Sequence, residues 1–248
     1  MTSHDELPRS ADLPHPRRLM LHAARPVVRL YTNRRYGVHV HHAERVPAAG
    51  PVILAANHVG WLDGPMLALY SPRPVHALTK REMFSGGMDR FLRSSGQIPV
   101  DRFAPDPAAM KACLRVLRDG GVAGIFPEGA RGAGELELFK RGTAYLALVT
   151  GAPVVPVSLF GTREPGSDSH SRPARGAPPV EIVFGDPWQV PAQPWPRRKQ
   201  AVEDAMASLR THMLGALADA KTITGRELPG PLPAGDSERD AARRQATT

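Results

Sequence analysis

Cysteine and long hydrophobic runs are almost absent from this sequence. Its 248 residues contain one cysteine, Cys113, which excludes an internal disulfide framework and fits a reducing compartment. No apolar run approaches the roughly 20 residues that a membrane-spanning helix needs. The N-terminus also lacks the continuous apolar stretch of a cleaved signal peptide. The sequence therefore predicts a cytoplasmic protein that is at most peripheral, on the inner face of the cell membrane.

Acidic side chains are missing from residues 13–43, in a chain whose formal net charge is +8. Such a charge favours acidic partners, namely anionic lipid, phosphorylated metabolites or nucleic acid. Residues 17–35 place apolar and basic side chains on opposite sides of a helical wheel, although Pro26 favours a kink or two short helices. We expect this basic amphipathic segment to lie on an anionic membrane surface. The alternative is a helix that packs on its own domain with solvated arginines.

Strand and helix patterns alternate along the rest of the chain, which predicts an α/β fold. We expect a single domain, at residues 36–221, whose largely parallel mixed sheet is flanked by helices. Residues 1–16 are predicted to form a flexible leader and residues 222–248 a disordered tail. In such a sheet the functional loops gather at one edge.

The stretch 51–65 is the most informative part of the sequence. It reads as a buried strand that stops at His58, then a short turn, then a helix that Asp63 caps, with Pro65 in its first turn. The turn can bring the carboxylate against one ring nitrogen and leave the other free to take a proton. Such a pair can activate a hydroxyl that belongs to the substrate. Taken alone, the spacing also fits an unrelated capping aspartate and a core or solvated histidine.

Two further loops that follow predicted strands carry distinctive charges. One holds Arg102, and the other holds Glu128, Gly129 and Arg131. Arginine presents a planar fork of donors that suits a phosphate, and glycine lets backbone amides approach an anion closely. No Gly-Lys-Ser/Thr follows the glycine loop, so it is not a nucleotide P-loop.

Each of these charged residues also has a simpler explanation when it is taken alone. Arg102 can form a surface ion pair with Asp101 or Asp106, and Glu128 and Arg131 can form a salt bridge at a turn. Their joint presence beside a strand that ends in histidine favours a binding site.

Four sequence blocks stand in order along the chain: Asn57-His58-Val-Gly-Trp-Leu-Asp63, Gly96-Gln-Ile-Pro-Val-Asp-Arg102, Phe126-Pro-Glu-Gly-Ala-Arg131 and Val155-Pro-Val157. Together they resemble the blocks of the glycerolipid acyltransferases, and most closely those of the bacterial 1-acylglycerol-3-phosphate (lysophosphatidic acid) acyltransferases. The likeness covers about residues 36–159, and it is much more specific for the superfamily than for the acceptor.

The resemblance implies an O-acyltransferase in phospholipid biosynthesis. Its acyl-CoA or acyl carrier protein donor would acylate the lysophospholipid 1-acylglycerol 3-phosphate and give phosphatidic acid. His58 would be the general base and Asp63 the partner that orients it. A thioester donor needs no covalent enzyme intermediate, so neither a cofactor nor a metal is expected.

The resemblance also implies a binding site for the acceptor phosphate. Arg102 would hold it together with Glu128 and Gly129, and Lys80 and Arg131 would join them.

The chain departs from the family pattern at two places. Gly60 stands where the family often has serine, and Ala130 and Gly132 stand where it often has threonine and serine. Because these changes remove hydroxyls from the pocket, the acceptor stays open. Glycerol 3-phosphate, dihydroxyacetone phosphate or a non-phosphorylated lipid are the alternatives.

Two other classes of protein compete with an enzyme. The charge suggests a nucleic-acid-binding protein, but the sequence has no aromatic interleaving and no nucleic-acid motif, so we expect no nucleic-acid partner. A non-catalytic lipid-binding relative would not need the intact His58 and Asp63. Neighbouring histidines at 39, 41 and 42 suggest a metal cluster, but alternate strand residues face opposite ways, so we expect solvated side chains.

Overall fold

A seven-stranded sheet is the centre of the fold in the computed structural model, which describes residues 8–16 and 25–240. Predictions for residues 1–7, 17–24 and 241–248 lie outside the described residues. The strands are β1 (His39–His41), β2 (Val52–Ala56), β3 (Val75–Lys80), β4 (Ile98–Val100), β5 (Val122–Ile125), β6 (Val154–Phe160) and β7 (Glu181–Phe184).

The strands are ordered β1-β7-β6-β2-β5-β3-β4, and every neighbouring pair is parallel except β6 with β7. The predicted α/β fold with a largely parallel mixed sheet is therefore confirmed. Among the described residues, the helices with defined bounds are α1 (Arg25–Tyr36), α2 (Asp63–Tyr70), α3 (Gly86–Ser94), α4 (Pro107–Arg118), α5 (Gly142–Thr150) and α6 (Lys199–Thr224), with 3-10 turns at Ala43–Arg45 and Arg81–Met83. None of the described helices is long and apolar enough to cross a membrane.

Strand β2 shows why the sheet is covered on both faces. All five of its side chains are buried. Ile53 and Ala55 pack in the cluster that includes α4, α5 and α6, whereas Leu54 and Ala56 pack in the cluster that includes α2. A strand buried on both faces is apolar throughout, as a central parallel strand requires.

Parallel strands place the loops of interest at one edge of the sheet. The carboxyl ends of β2, β3, β4 and β5 lie at the same edge, because each of these strands is parallel to its neighbour. The loops that leave them carry His58, Lys80, Arg102 and Glu128. The topology therefore brings together side chains that are 70 positions apart in the sequence.

Aspartate has different roles at the starts of two helices. Asp106 caps α4, since its carboxylate accepts a hydrogen bond from the amide of Ala109 (3.0 Å) and Pro107 is the first helical residue. The predicted cap of α2 is wrong, because Asp63 is its first helical residue and Leu62 is the cap. The Asp63 carboxylate is instead directed back into the preceding turn.

Helix α1 is attached to the far end of α2. Arg25 donates hydrogen bonds to the carbonyl oxygens of Leu69 (3.0 Å) and Ser71, and the hydroxyls of Thr32 and Tyr70 lie 2.9 Å apart. On its outer side α1 exposes apolar side chains, Val27, Leu30 and Tyr31. The described part of the predicted 17–35 segment is thus helical and has an exposed apolar face.

The side chains of His39, His41 and His42 remain 58%, 31% and 37% exposed, so they are partly solvated as predicted, and two of them also contact a carboxylate. His39 Nδ1 and His41 Nε2 lie 3.0 and 2.8 Å from the two carboxylate oxygens of Glu181. Residues two positions apart on a strand share a face, so one carboxylate can bind both rings. His42 has a left-handed backbone and lies 3.2 Å from Glu44.

Both predicted unstructured ends contact the domain where the structure describes them. In residues 8–16, the carbonyl oxygens of Pro8 and Ala11 accept hydrogen bonds from Arg118 (3.0 Å) and Arg115 (2.7 Å) of α4. Residues 225–240 continue beyond α6 and place Glu238, which is 3% exposed, among the predicted site residues. Long-range polar contacts, which leave no local pattern, hold both segments.

Candidate active site

His58 and Asp63 form the predicted pair. His58 Nδ1 lies 2.7 Å from Asp63 Oδ2, and the same carboxylate accepts hydrogen bonds from the amides of Val59 (2.7 Å) and Gly60 (2.8 Å) and from the Thr162 hydroxyl (2.5 Å). Asp63 is fully buried, and these four groups fix its orientation. Since a carboxylate only accepts hydrogen bonds, Nδ1 carries the ring hydrogen and Nε2 is left as the basic nitrogen.

The His58 ring is held in place on its other sides as well. It stacks on Phe126, with ring centroids 4.2 Å apart, and its backbone amide donates to Glu128 Oε1 (2.8 Å). The side chain keeps 18% of its surface exposed and lines a cavity of about 970 Å³. No described residue forms a hydrogen bond with Nε2, so this nitrogen is available to a ligand.

Glu128 is a buried carboxyl group beside the histidine. Burial raises its pKa to about 8, and the charge of Asp63 acts in the same direction, whereas the hydrogen bond from the His58 amide lowers it. Gly129 follows with φ +73°, a left-handed conformation that favours glycine. Glu128 and Arg131 do not pair with each other, because the Arg131 guanidinium donates to the carbonyl oxygen of Ser169 (3.2 Å).

Lys80, Arg102 and Arg131 bring three cations to the wall of the same cavity. Arg102 Nη1 lies 2.7 Å from one oxygen of Glu238, and Lys80 Nζ lies 2.8 Å from the other. Arg102 therefore pairs with Glu238, and more distantly with Glu82 (3.5 Å), rather than with either nearby aspartate. Within the described residues, the Nε groups of Arg102 and Arg131 have no hydrogen-bond partner, so both guanidinium groups keep unused donors. Burial lowers the pKa of Arg131.

Arg163 is a site residue that the sequence analysis missed. Its guanidinium is 2% exposed and donates to the carbonyl oxygens of Val59 (2.7 Å), Ser167 (2.9 Å), Gly132 (3.1 Å) and Gly230 (2.5 Å). It therefore connects the loop that contains His58 to the loop that contains Glu128 and to residues 225–240. The sequence signal that could have identified it is the polar pair Thr162-Arg163, which follows the buried strand β6 after a single glycine.

Most of the remaining cavity wall is apolar. Its side chains come from the 3-10 turn Arg81–Met83, α3, β4 and α4: Met83, Met88, Phe91, Leu92, Val100 and Met110. The cavity is within the size range of small-molecule sites, about 300 to 1,000 Å³. Met88 and Phe91 are also about half exposed, so the apolar wall continues onto the protein surface. One cavity thus joins a histidine base, a group of cations and a long apolar wall. None of the described His, Cys, Asp and Glu side chains form a group that could hold a metal ion.

Known proteins share this part of the chain. Residues 37–159 match the family model described as Acyltransferase. The chain is 35% identical over 129 residues to the 1-acyl-sn-glycerol-3-phosphate acyltransferase of Bacillus subtilis, which covers 51% of this chain and 64% of that protein. It is 33% identical over 125 residues to the protein of the same name from Borreliella burgdorferi, covering 48% and 50%. The chain thus spans less than two thirds of either relative.

A solved structure has the same fold. The 1-acyl-sn-glycerophosphate (LPA) acyltransferase PlsC from Thermotoga maritima matches with a TM-score of 0.56 over 82% of each chain, at 20% sequence identity. The match extends well beyond residues 37–159, so the similarity of fold includes elements outside the four sequence blocks.

Proposed function

We propose that this chain, whose residues 37–159 belong to the acyltransferase family, transfers a fatty acyl group from a thioester to the hydroxyl of 1-acylglycerol 3-phosphate. The product would be phosphatidic acid. The observation that carries the proposal is the 2.7 Å contact between His58 Nδ1 and Asp63, with the His58 ring in a cavity that also contains three cations. The names of the relatives support the choice of acceptor.

His58 is the general base in the proposed reaction. Its Nε2 takes the proton from the acceptor hydroxyl as that oxygen attacks the thioester carbonyl, and Asp63 stabilises the imidazolium that forms. The new C–O bond replaces the C–S bond, and the proton returns to the departing sulfur. Since the nucleophile belongs to the acceptor, no acyl-enzyme is needed. General base catalysis of this kind contributes about 10²- to 10⁴-fold.

The cations hold the acceptor phosphate in this proposal. Arg102 and Arg131 offer planar forks of donors, and Lys80 adds a point charge. Glu128 is not among the residues that line the cavity, and it supports the site from behind by accepting a hydrogen bond from the His58 amide (2.8 Å). The left-handed backbone at Gly129 allows a close approach to the anion.

The acyl chains occupy the apolar wall, and the protein works at the surface of a membrane. Exposed apolar side chains on α1 and α3, among them Leu30 and Phe91, lie on elements that line or adjoin the cavity. Together with the net charge of +8, they suit a peripheral protein on the anionic inner face of the cell membrane. Acyl-CoA and acyl carrier protein are both candidate donors.

The substitution His58→Ala tests the proposal. It should lower the rate of acyl transfer from an acyl-CoA to 1-acylglycerol 3-phosphate by at least about 10²-fold, because the base is lost. The release of free thiol measures the rate, and circular dichroism checks the fold. His212→Ala is the matched control, since that ring is exposed and contacts the Asp186 carbonyl oxygen on another part of the surface.

Near wild-type activity in a folded His58→Ala protein would contradict the proposal that His58 is the general base. The acceptor is tested on the wild-type protein, where transfer to 1-acylglycerol 3-phosphate should exceed transfer to glycerol 3-phosphate. Faster transfer to glycerol 3-phosphate would support the acyl-transfer reaction but identify glycerol 3-phosphate as the acceptor.

A further inference from the structure

The C-terminal segment, defined here as residues 225–240, delivers a carboxylate to the cations of the site. Glu238 is buried, and each of its oxygens contacts a different cation, Lys80 at 2.8 Å and Arg102 at 2.7 Å. Burial alone would raise the pKa of Glu238, but the hydrogen bond from Lys80 and the charge and hydrogen bond of Arg102 lower it to about 2. An ionised carboxylate therefore occupies the positions that the proposed function gives to the acceptor phosphate.

Separate contacts anchor the C-terminal segment before it reaches Glu238. The Asp236 carboxylate accepts hydrogen bonds from the amide (2.7 Å) and hydroxyl (2.9 Å) of Ser169, and the Gly230 carbonyl oxygen accepts one from Arg163. Asp236 also accepts from the amide of Glu238 (2.8 Å). Because these anchors do not involve Lys80, the Glu238 side chain can leave the cations while the segment stays attached.

We propose that Glu238 is an internal competitor of the acceptor phosphate, which must displace it from Lys80 and Arg102 in order to bind. This inference rests on the proposed function. A carboxylate has one charge and two oxygens, whereas a phosphate monoester at pH 7 has a charge near −2 and three oxygens. The phosphate can therefore satisfy Arg131 as well as Lys80 and Arg102, and it displaces Glu238. A neutral alcohol cannot, so it meets a site whose cations are already paired.

Competition has a measurable cost in affinity. The apparent dissociation constant of an anion equals its intrinsic constant divided by the fraction of molecules in which Glu238 has left the cations, so it rises as that fraction falls. Removing the charge of Glu238 should therefore tighten the binding of anions to the site.

Glu238→Gln tests the inference with inorganic phosphate as the probe. In titration calorimetry the variant should bind phosphate about tenfold more tightly than the wild type, since a neutral amide no longer competes. Its KM for 1-acylglycerol 3-phosphate should fall while its KM for the acyl-CoA stays the same. Thermal unfolding with and without phosphate checks the fold, and phosphate should raise the Tm of the variant more than that of the wild type.

Glu227→Gln is the matched control, because the same change is made in the same segment but at an exposed pair with Lys221 (2.8 Å). Unchanged phosphate affinity in a folded Glu238→Gln protein, or an equal gain in Glu227→Gln, would overturn the inference. Tighter phosphate binding in a protein that transfers no acyl group would support the inference and contradict the proposed function. Normal acyl transfer in a Glu238→Gln protein whose phosphate affinity is unchanged would support the proposed function and contradict the inference.

Discussion

At the scale of the residue, Asp63 organises the loop as well as the imidazole. Its carboxylate accepts from the ring of His58, from two amides of the turn that joins β2 to α2, and from Thr162. The same buried charge thus shapes the turn and sets the tautomer of the histidine. Loss of Asp63 would disturb both, which is why His58→Ala is the cleaner test of the chemistry.

Close packing at position 60 explains why this chain has glycine where the family pattern often has serine. A Cβ there would lie 2.9 Å from the carbonyl oxygen of Thr162 and 3.2 Å from the Cβ of Arg163. We predict that Gly60→Ser lowers the free energy of unfolding by about 1 to 3 kcal/mol, the usual range for overpacking. It should also slow acyl transfer, because Thr162 must move away from Asp63.

Urea unfolding measures the effect of this substitution. Gly64→Ser is the control, since a Cβ at Gly64 meets nothing within 4 Å; it should leave the stability unchanged or slightly higher. A Gly60→Ser protein as stable as the wild type would contradict the prediction and show that the loop after β6 can move to accommodate the serine side chain.

Residues of the site differ in how far the sequence could reveal them. His58 and Asp63 are five positions apart and flank one turn, so a local pattern predicts their contact. Thr162 and Arg163 act on that turn from about 100 positions away, and only the parallel pairing of β6 with β2 brings them there. Sequence reasoning finds a pair within one loop but not the residues that fix the loop from another strand.

At the scale of the element, α1 is the candidate contact with lipid. Its Leu30 side chain is 53% exposed, so a charge there should hardly affect folding. We predict that Leu30→Asp weakens binding to vesicles that contain anionic phospholipid by about tenfold or more, because a buried leucine contributes about 1.5 to 3 kcal/mol. Vesicle sedimentation measures the bound fraction.

Ile223→Asp on α6 provides the comparison for this helix. Ile223 is 44% exposed and the charge change is identical, but the residue is on a different helix. Equal losses of vesicle binding in the two variants would mean that net charge, not α1, controls the association.

The elements with local signals were predicted well, and the C-terminal segment was not. Strand β2 is an uninterrupted apolar run, and the start of α4 combines a capping aspartate with proline, so both could be predicted from a few residues. Residues 225–240 are rich in proline, glycine and polar side chains, which is typical of disorder. Their order depends on pairs such as Lys80 with Glu238, 158 positions apart.

At the scale of the whole molecule, the site makes folding sensitive to pH. Burial raises the pKa of Glu128 to about 8, from an ordinary value of 4.5. Between these two pH values the folded protein keeps a proton that the unfolded chain has released. Stability should therefore fall as pH rises from about 4.5 to 8, by a few kcal/mol, and this contribution should level off above pH 8.

Glu128→Gln should remove this part of the pH dependence, because an amide does not titrate. Denaturant unfolding at several pH values from 4.5 to 9 measures the slope for the variant and the wild type. Glu227→Gln, at an exposed carboxyl, should keep the wild-type slope. Equal slopes of stability against pH for Glu128→Gln and the wild type would contradict the conclusion that Glu128 causes this pH dependence.

Helix α2 fixes the distance between α1 and the His58–Asp63 pair. Asp63 begins this helix, and Tyr70, at its end, is hydrogen-bonded to α1. Eight residues of helix span about 12 Å. If α1 lies on a bilayer, as proposed, the length of α2 would set the distance between the lipid surface and His58. Acceptors would then be sorted by how far their hydroxyl reaches out of the lipid layer, and lengthening α2 by a turn would move that reach outward by about 5 Å.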